Sequence, residues 1–285
     1  MPDTKKEPAA RKARPGSALG QLVGSMIEHR CNDVLRQSLP EGYNLWDQFH
    51  LPPGYPRKVL RIADLTGKLW QIDGLVTTGD KKLVPVAIVD PKYIQRTKWC
   101  YDKGGWLCTA HPLLRRTYRT IRGTLTILAG RWSRDSITTI KQHGIRVVRL
   151  PYEHIQEVMG SYGVDMSWKD EDSDWAAIPA LRAFNRLPES AKQEIPVKLV
   201  RNIEGELSKQ LGEILGDDKE TRNVERISIQ VATNKGETID LDASTIEEAV
   251  ERLNTLDLAG LFDKNITPFE IQPKPRSAKA STSSK

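Results

Sequence analysis

Two strand-like stretches between Leu69 and Lys92 constrain this chain more than any other feature. The first, Leu69-Trp70-Gln71-Ile72-Asp73-Gly74-Leu75-Val76, carries a lone acid. The second, Leu83-Val84-Pro85-Val86-Ala87-Ile88-Val89-Asp90-Pro91-Lys92, is an apolar run that ends in acid-x-lysine. The polar stretch Thr77 to Lys82 between them predicts a hairpin turn. Alternate residues of a strand share a face, so Asp90 and Lys92 point the same way, and the neighbouring strand can bring Asp73 to the same spot.

Two carboxylates and an ammonium that converge at a sheet edge suit a divalent metal with a fixed cation beside it. Mg²⁺ takes oxygen ligands, commonly one or two carboxylates with water and substrate phosphate. Bound, it polarises a phosphoryl group and lowers the pKa of a water. The motif by itself is common: Asp3-Lys5, Asp80-Lys82 and Asp217-Lys219 also match acid-x-lysine. Only Asp90-Lys92 closes a long apolar run with an acid-bearing strand just before it. Pro91 cannot donate to a sheet ladder, so the strand must end, bulge or lie at an edge there, and a plain Asp-Pro turn has the same signature.

This arrangement resembles the PD-(D/E)XK nuclease superfamily, with Ile72-Asp73 in the "PD" position and Asp90-Pro91-Lys92 in the "(D/E)XK" position. Ile72 replaces the motif proline. The resemblance covers about residues 18–155. It implies an α/β fold of restriction-endonuclease type, a mixed β-sheet flanked by helices. It also implies a Mg²⁺-dependent endodeoxyribonuclease, with Mn²⁺ as a substitute, in prokaryotic restriction, defence or repair. Asp73 and Asp90 would hold the metal. Lys92 would orient the water or offset charge on the phosphate. Members often draw a further acid from the first helix, which makes Glu28 a candidate. A junction-resolving or transposon-end nuclease would share every one of these residues. A non-catalytic DNA-binding subunit and a protein-interaction adaptor are the alternatives outside that chemistry.

Charge supports a polyanionic partner. Residues 1–150 hold 26 Lys and Arg against 12 Asp and Glu, a balance of +14; residues 151–285 hold 17 against 25, a balance of −8. The half with the candidate site is therefore the basic one, as expected for double-stranded DNA. Three cysteines, Cys31, Cys100 and Cys108, are sparse and odd in number, which favours a reducing cytosol; with DNA as the expected partner, the expected location is cytoplasmic and nucleoid-associated. Met1 to Gly16 lacks the apolar core of a secretory signal, and no stretch approaches the roughly 18 apolar residues of a membrane span.

Along the chain, Met1–Gly16 reads as a basic disordered tail and residues 17–160 as the nuclease-like domain, opening on a helix with Leu19, Leu22, Val23, Met26, Ile27, Val34 and Leu35 at three- and four-residue steps. Tyr43–Pro56, rich in Pro, Gly and aromatics, predicts a loop, and Val59–Ala63 a first strand. A helix from about Pro112 would carry Arg115, Arg116, Arg119 and Arg122, the first, third and fourth on one face suited to phosphates. Trp70 and Trp99 flank the site in sequence and read as core or loop anchors. The scattered histidines, and Cys100, Cys108 and His111 as a zinc set, match no catalytic or finger pattern. Residues 161–194 read as an irregular linker, 195–272 as a small α+β module for dimerisation or partner docking, and 273–285 as a disordered tail. The partner expected for the whole is a second copy or another subunit of a nuclease complex.

Overall fold

Leu19, Val23, Ile27, Cys31, Val34 and Leu35 lie buried along one face of the first helix, as their spacing dictates, whereas Leu22 is exposed. The computed structural model describes residues 15–57, 59–79, 83–170, 172, 174–216 and 223–257. They fall into two units that divide between Asp218 and Lys219. The first holds α1 (Pro15–Gln37), β1 (Tyr43–Asp47), β2 (Arg61–Ala63), β3 (Leu69–Gln71), β4 (Gly74–Thr78), β5 (Val84–Ile94), α2 (Cys100–Thr117) and β6 (Gly123–Gly130). It continues through α3 (Arg134–Gln142), β7 (Arg146–Pro151), α4 (Tyr152–Gly160), α5 (Ile178–Arg186), α6 (Glu189–Val200) and α7 (Glu204–Leu215).

The main sheet has the order β1-β4-β5-β6-β7. The β1–β4 and β4–β5 pairs are antiparallel, and β5, β6 and β7 run parallel. Each parallel step needs a crossover, which α2 and α3 supply. On one face Val89, Leu125, Ile127, Val148 and Leu150 pack with α1 and α4 to α7. On the other, Ile88 packs with Ala110 and Leu114 of α2, and Leu128 with Leu107 and the Ile137–Ile140 face of α3. The chain is thus α/β with a mixed five-stranded sheet between helical layers.

Several expectations change. The stretch Leu69–Val76 is two strands, because the Ile72 N–H donates to Leu60 O (3.1 Å) and the Asp73 N–H to the Asp90 side chain. The first bond continues the β2–β3 register and the second leaves it, so β3 pairs with β2 in a separate two-stranded sheet while β4 joins the main one. The Tyr43–Pro56 loop contains β1, whose edge position is set by pairing with β4. Pro15 and Gly16 are helical, while residues 1–14 lie outside the described part, as do 80–82 of the turn and 258–285. The supposed linker 161–194 includes α5 and the start of α6. Ala177, Ala180, Phe184, Ile195 and Leu199 belong to the same core as α1, so these helices complete the first unit. Apolar burial that no short window reveals is what overrides the linker reading.

In the second unit, β8 (Ile227–Ala232) and β9 (Thr238–Ala243) form an antiparallel hairpin, followed by α8 (Ile246–Asn254). A capping box opens α8: the Thr245 hydroxyl accepts from Glu248 N (3.1 Å), and the Glu248 carboxylate accepts from Ser244 N (2.8 Å).

Candidate active site

Asp90, Lys92 and Asp73 meet where β4 stops pairing with β5. The last β4–β5 pair is Gly74–Val89, and beyond it β5 has only β6 as a neighbour. That edge accommodates Pro91, so the strand runs straight through the proline instead of turning. Gly74 allows the close approach: a Cβ there would lie 3.1 Å from Val89 O and 3.3 Å from Leu45 Cδ1. Asp73, in the bend just before it, donates its backbone N–H to Asp90 Oδ1 (2.8 Å). Lys92 Nζ lies 3.3 Å from the same Oδ1 and donates to Asp73 Oδ2. The ammonium therefore bridges the two carboxylates.

Glu28 reaches this group from α1. Its Oε1 accepts from Gln48 Nε2 (2.8 Å), and Gln48 is held there by a well-satisfied turn. Asp47, fully buried, accepts from the backbone N–H groups of Phe49 (2.8 Å) and His50 (2.7 Å) and from Arg36 Nη2 (2.7 Å). Burial first, and then the Asp73 charge, push the Glu28 carboxyl up to about 7. Burial and the Asp90 charge likewise raise Asp73. Burial alone would raise Asp90 too, but the Lys92 charge and the His111 hydrogen bond outweigh it and hold that carboxyl low. The same carboxylates raise Lys92 against its own burial. Burial and the shared Lys92 thus push the two neighbouring carboxyl groups apart in acidity.

His111 is the residue that sequence reasoning missed. Its Nε2 lies 2.5 Å from Asp90 Oδ2, and both side chains are 0% exposed. A carboxylate only accepts, so Nε2 carries the proton; Nδ1 has no partner among the described residues. The Trp106 ring stands edge-on to the His111 ring at 5.9 Å, and Lys92 Nζ lies 4.8 Å from the Trp106 centroid. Trp70, whose Nε1 donates to Asp64 Oδ2 (2.7 Å), packs behind Trp106. Together these hold Asp90 Oδ2 inside the fold, while Oδ1 accepts from the Asp73 N–H and from Lys92.

No protein-family model matches this chain, and no curated protein does. Among solved structures it is similar to the small subunit of the heterodimeric restriction endonuclease R.BspD6I, at 14% identity over 62% of this chain and 88% of that one, with a TM-score of 0.25. At that score the likeness carries no argument. The site stands on its own geometry.

The donor chemistry fits a hard cation. Asp73 and Asp90 offer oxygens only, which suit Mg²⁺ or Mn²⁺ over softer metals. Among the described residues no group of three or more His, Cys, Asp or Glu side chains is placed to hold a metal alone. The remaining ligands would be water and phosphate, as is usual for Mg²⁺.

The arginines do not form the expected stripe. Helix α2 starts at Cys100 and ends at Thr117, with Pro112 inside it. Only Arg115 and Arg116 are on its last turn, and Arg119 follows it. Arg122 serves the fold, because its backbone N–H donates to Val86 O (2.8 Å), and its guanidinium to Leu215 O and Tyr43 Oη (3.3 Å). The cleft at the site is instead lined by the Gly16–Glu28 face of α1, by Pro91 to Gln95 of the strand end, and by Arg96, Lys98, Trp99 and Lys103, enclosing about 930 Å³.

Proposed function

We propose that this chain is a Mg²⁺-dependent nuclease that hydrolyses phosphodiester bonds in DNA. The observation that carries the reading is the convergence of Asp73, Asp90, Lys92 and Glu28 at one end of an open cleft. Asp73, which lines the cleft, and Asp90, buried beside it, would hold the cation through their carboxylate oxygens. Such an ion would supply Lewis acidity toward the phosphoryl group and lower the pKa of a water. Lys92 orients the attacking water and offsets charge that develops on the phosphate. Glu28, held partly protonated near neutrality, exchanges a proton at its carboxyl as the reaction proceeds. His111 and Trp106 keep Asp90 in a single orientation.

The enzyme acts as a homodimer or as a subunit of a nuclease complex. What supports this is α8, where Ile246, Val250 and Leu253 lie at steps of four and three and are all exposed. Restriction, defence or repair of prokaryotic DNA is the setting that such chemistry serves.

Plasmid cleavage tests the reading. Wild-type chain with Mg²⁺ is expected to cut supercoiled DNA and to stop in EDTA, and Asp90→Ala and Lys92→Ala to lower the rate at least ~100-fold with binding retained. Cleavage that survives both substitutions rules the site out. One observation favours a second reading: Lys92 is committed to both carboxylates, as in a site kept for structure. A binding subunit without catalysis would show salt-sensitive DNA binding and no cleavage under any metal.

A further inference from the structure

The cleft beyond the carboxylates has two unlike walls. On α1, Gly16, Ser17, Gly20, Gln21, Gly24 and Ser25 line it, with Glu28 at the catalytic end. Residues 16 to 28 advance about 18 Å along the helix at 1.5 Å each, or about five stacked nucleotides at 3.4 Å. Apart from Glu28, this face has only small or neutral side chains, so backbone can come close and Ser and Gln can donate to phosphate. Gly20 and Gly24 also seat the helix on the strand end, since a Cβ at Gly20 would meet Gln95 Oε1 at 3.1 Å and one at Gly24 would meet Tyr93 Cβ at 3.5 Å.

The opposite wall is cationic and aromatic. The 3₁₀ turn Thr97–Trp99 is pinned at its start, where Asp170 Oδ1 accepts from Thr97 N (3.0 Å) and the Asp172 carbonyl accepts from Arg96. The pin leaves Lys98 and Trp99 projecting. Trp99 is 48% exposed, and Lys98 Nζ lies 5.3 Å from its ring centroid. Among the described residues neither Lys98 nor Lys103 has a carboxylate within ion-pair distance. A large apolar ring left in water beside two uncompensated ammoniums, in a cleft that ends at the candidate catalytic acids, is the make-up of a nucleic-acid stacking platform.

We propose, building on the nuclease reading above, that this cleft holds a single, unpaired nucleic-acid strand, with one base stacked on Trp99 and its flanking phosphates on Lys98 and Lys103. The scissile phosphate then lies at Glu28, Asp73 and Lys92, and the strand runs along the Gly16–Ser25 face. The ligand is thus a frayed end, flap or opened stretch of DNA, not an intact duplex face. Trp99 is a binding residue, contrary to its reading as an anchor.

Binding in EDTA tests this separately from cleavage. Fluorescence anisotropy of a labelled single strand of about 20 nucleotides, longer than the ~4–16 that one such groove covers, and of its duplex would be recorded over a salt series. The expected result is tighter binding of the single strand, weakened about tenfold by Trp99→Ala. The Lys98→Ala/Lys103→Ala pair should flatten the salt slope by about 0.7 per lysine. Lys141→Ala, on an exposed position of α3, should change neither. These side chains are exposed, so the variants fold. Wild-type affinity and slope in all the cleft variants would overturn the inference, even with plasmid cleavage intact, and so would a preference for duplex that ignores Trp99. If wild type neither binds nor cuts any nucleic acid, the inference and the nuclease reading fall together.

Discussion

At the scale of the residue, Glu28 shows how a site stores cost. Its carboxyl sits at about 7 in place of the usual 4.5, so between those values the folded protein keeps a proton that the unfolded chain has released. By linkage the stability tied to Glu28 is full below pH 4.5 and is lost as pH rises to 7. Glu28→Gln keeps an acceptor for Gln48 while removing the charge. In EDTA it is expected to melt about 2–4 °C above wild type near pH ~8 and together with wild type near pH ~4, a difference read by calorimetric scans. An equal shift at both pH values would mean that burial of charge is not the cause. Asp90, Lys92 and Asp73 are legible in the sequence because strand alternation and one short turn suffice to bring them together. Glu28 is legible only as the acid on the flank of an apolar stripe. His111 is hidden: Gly104-Gly105 and Pro112 make the start of α2 read as a loop, and without that start no residue can be assigned a buried face. In the fold Gly104 is helical and faces α3, where a Cβ would make ordinary contact with Ile140 Cδ1 and Trp132 at 3.7 Å. Local propensity points one way and packing of α2 on α3 decides the other.

At the scale of the element, the ends of β5 and β6 are joined by a glycine. Gly130 has φ +93°, and a Cβ there would fall 2.0 Å from Ile94 O. The Arg131 N–H donates to the same carbonyl at 3.0 Å, so the strand end cannot move aside freely. Gly130→Ala combines a disfavoured φ with a backbone clash, and a loss of about 1–3 kcal/mol is expected from urea unfolding. An unchanged midpoint would show that the strand end is looser than its hydrogen bonds indicate. Elements with a strong period, α1 above all, can be read from spacing alone. Those that escape it, β1 and α5, depend on partners far along the chain: Tyr43–Asp47 on the β4 ladder, and Ala180 and Phe184 on the α1 core. The arginine stripe fails for the same reason, since a helix that ends at Thr117 cannot place Arg119 and Arg122 at its own period.

At the scale of the molecule, the charge asymmetry and the unit boundary do not coincide. The acidic half of the sequence includes α5 to α7, which complete the core behind the sheet, and only the residues after Asp218 form the second unit. Among its described residues that unit is a hairpin and a helix, too small to bury every apolar side chain it carries. Val250→Asp places a charge in the middle of the exposed α8 stripe. If α8 pairs copies of the chain, sedimentation velocity should show the wild-type dimer shift to monomer in this variant. A dimer that persists would place the contact elsewhere in the assembly.

Strand β5 is built as a cantilever. From Val84 to Val89 it is clamped by β4, and from Asp90 to Ile94 by β6 alone. The acid-x-lysine pair sits at the root of the overhang, where the clamp ends, and the overhang itself floors the cleft. The overhang is held at its far end as well, by the Arg131 N–H on Ile94 O and by Gly20 and Gly24 of α1 against Gln95 and Tyr93. Substitution at Tyr93 or Gln95 therefore reshapes the cleft by shifting the α1 wall seated on them, while the acids at the root keep their places.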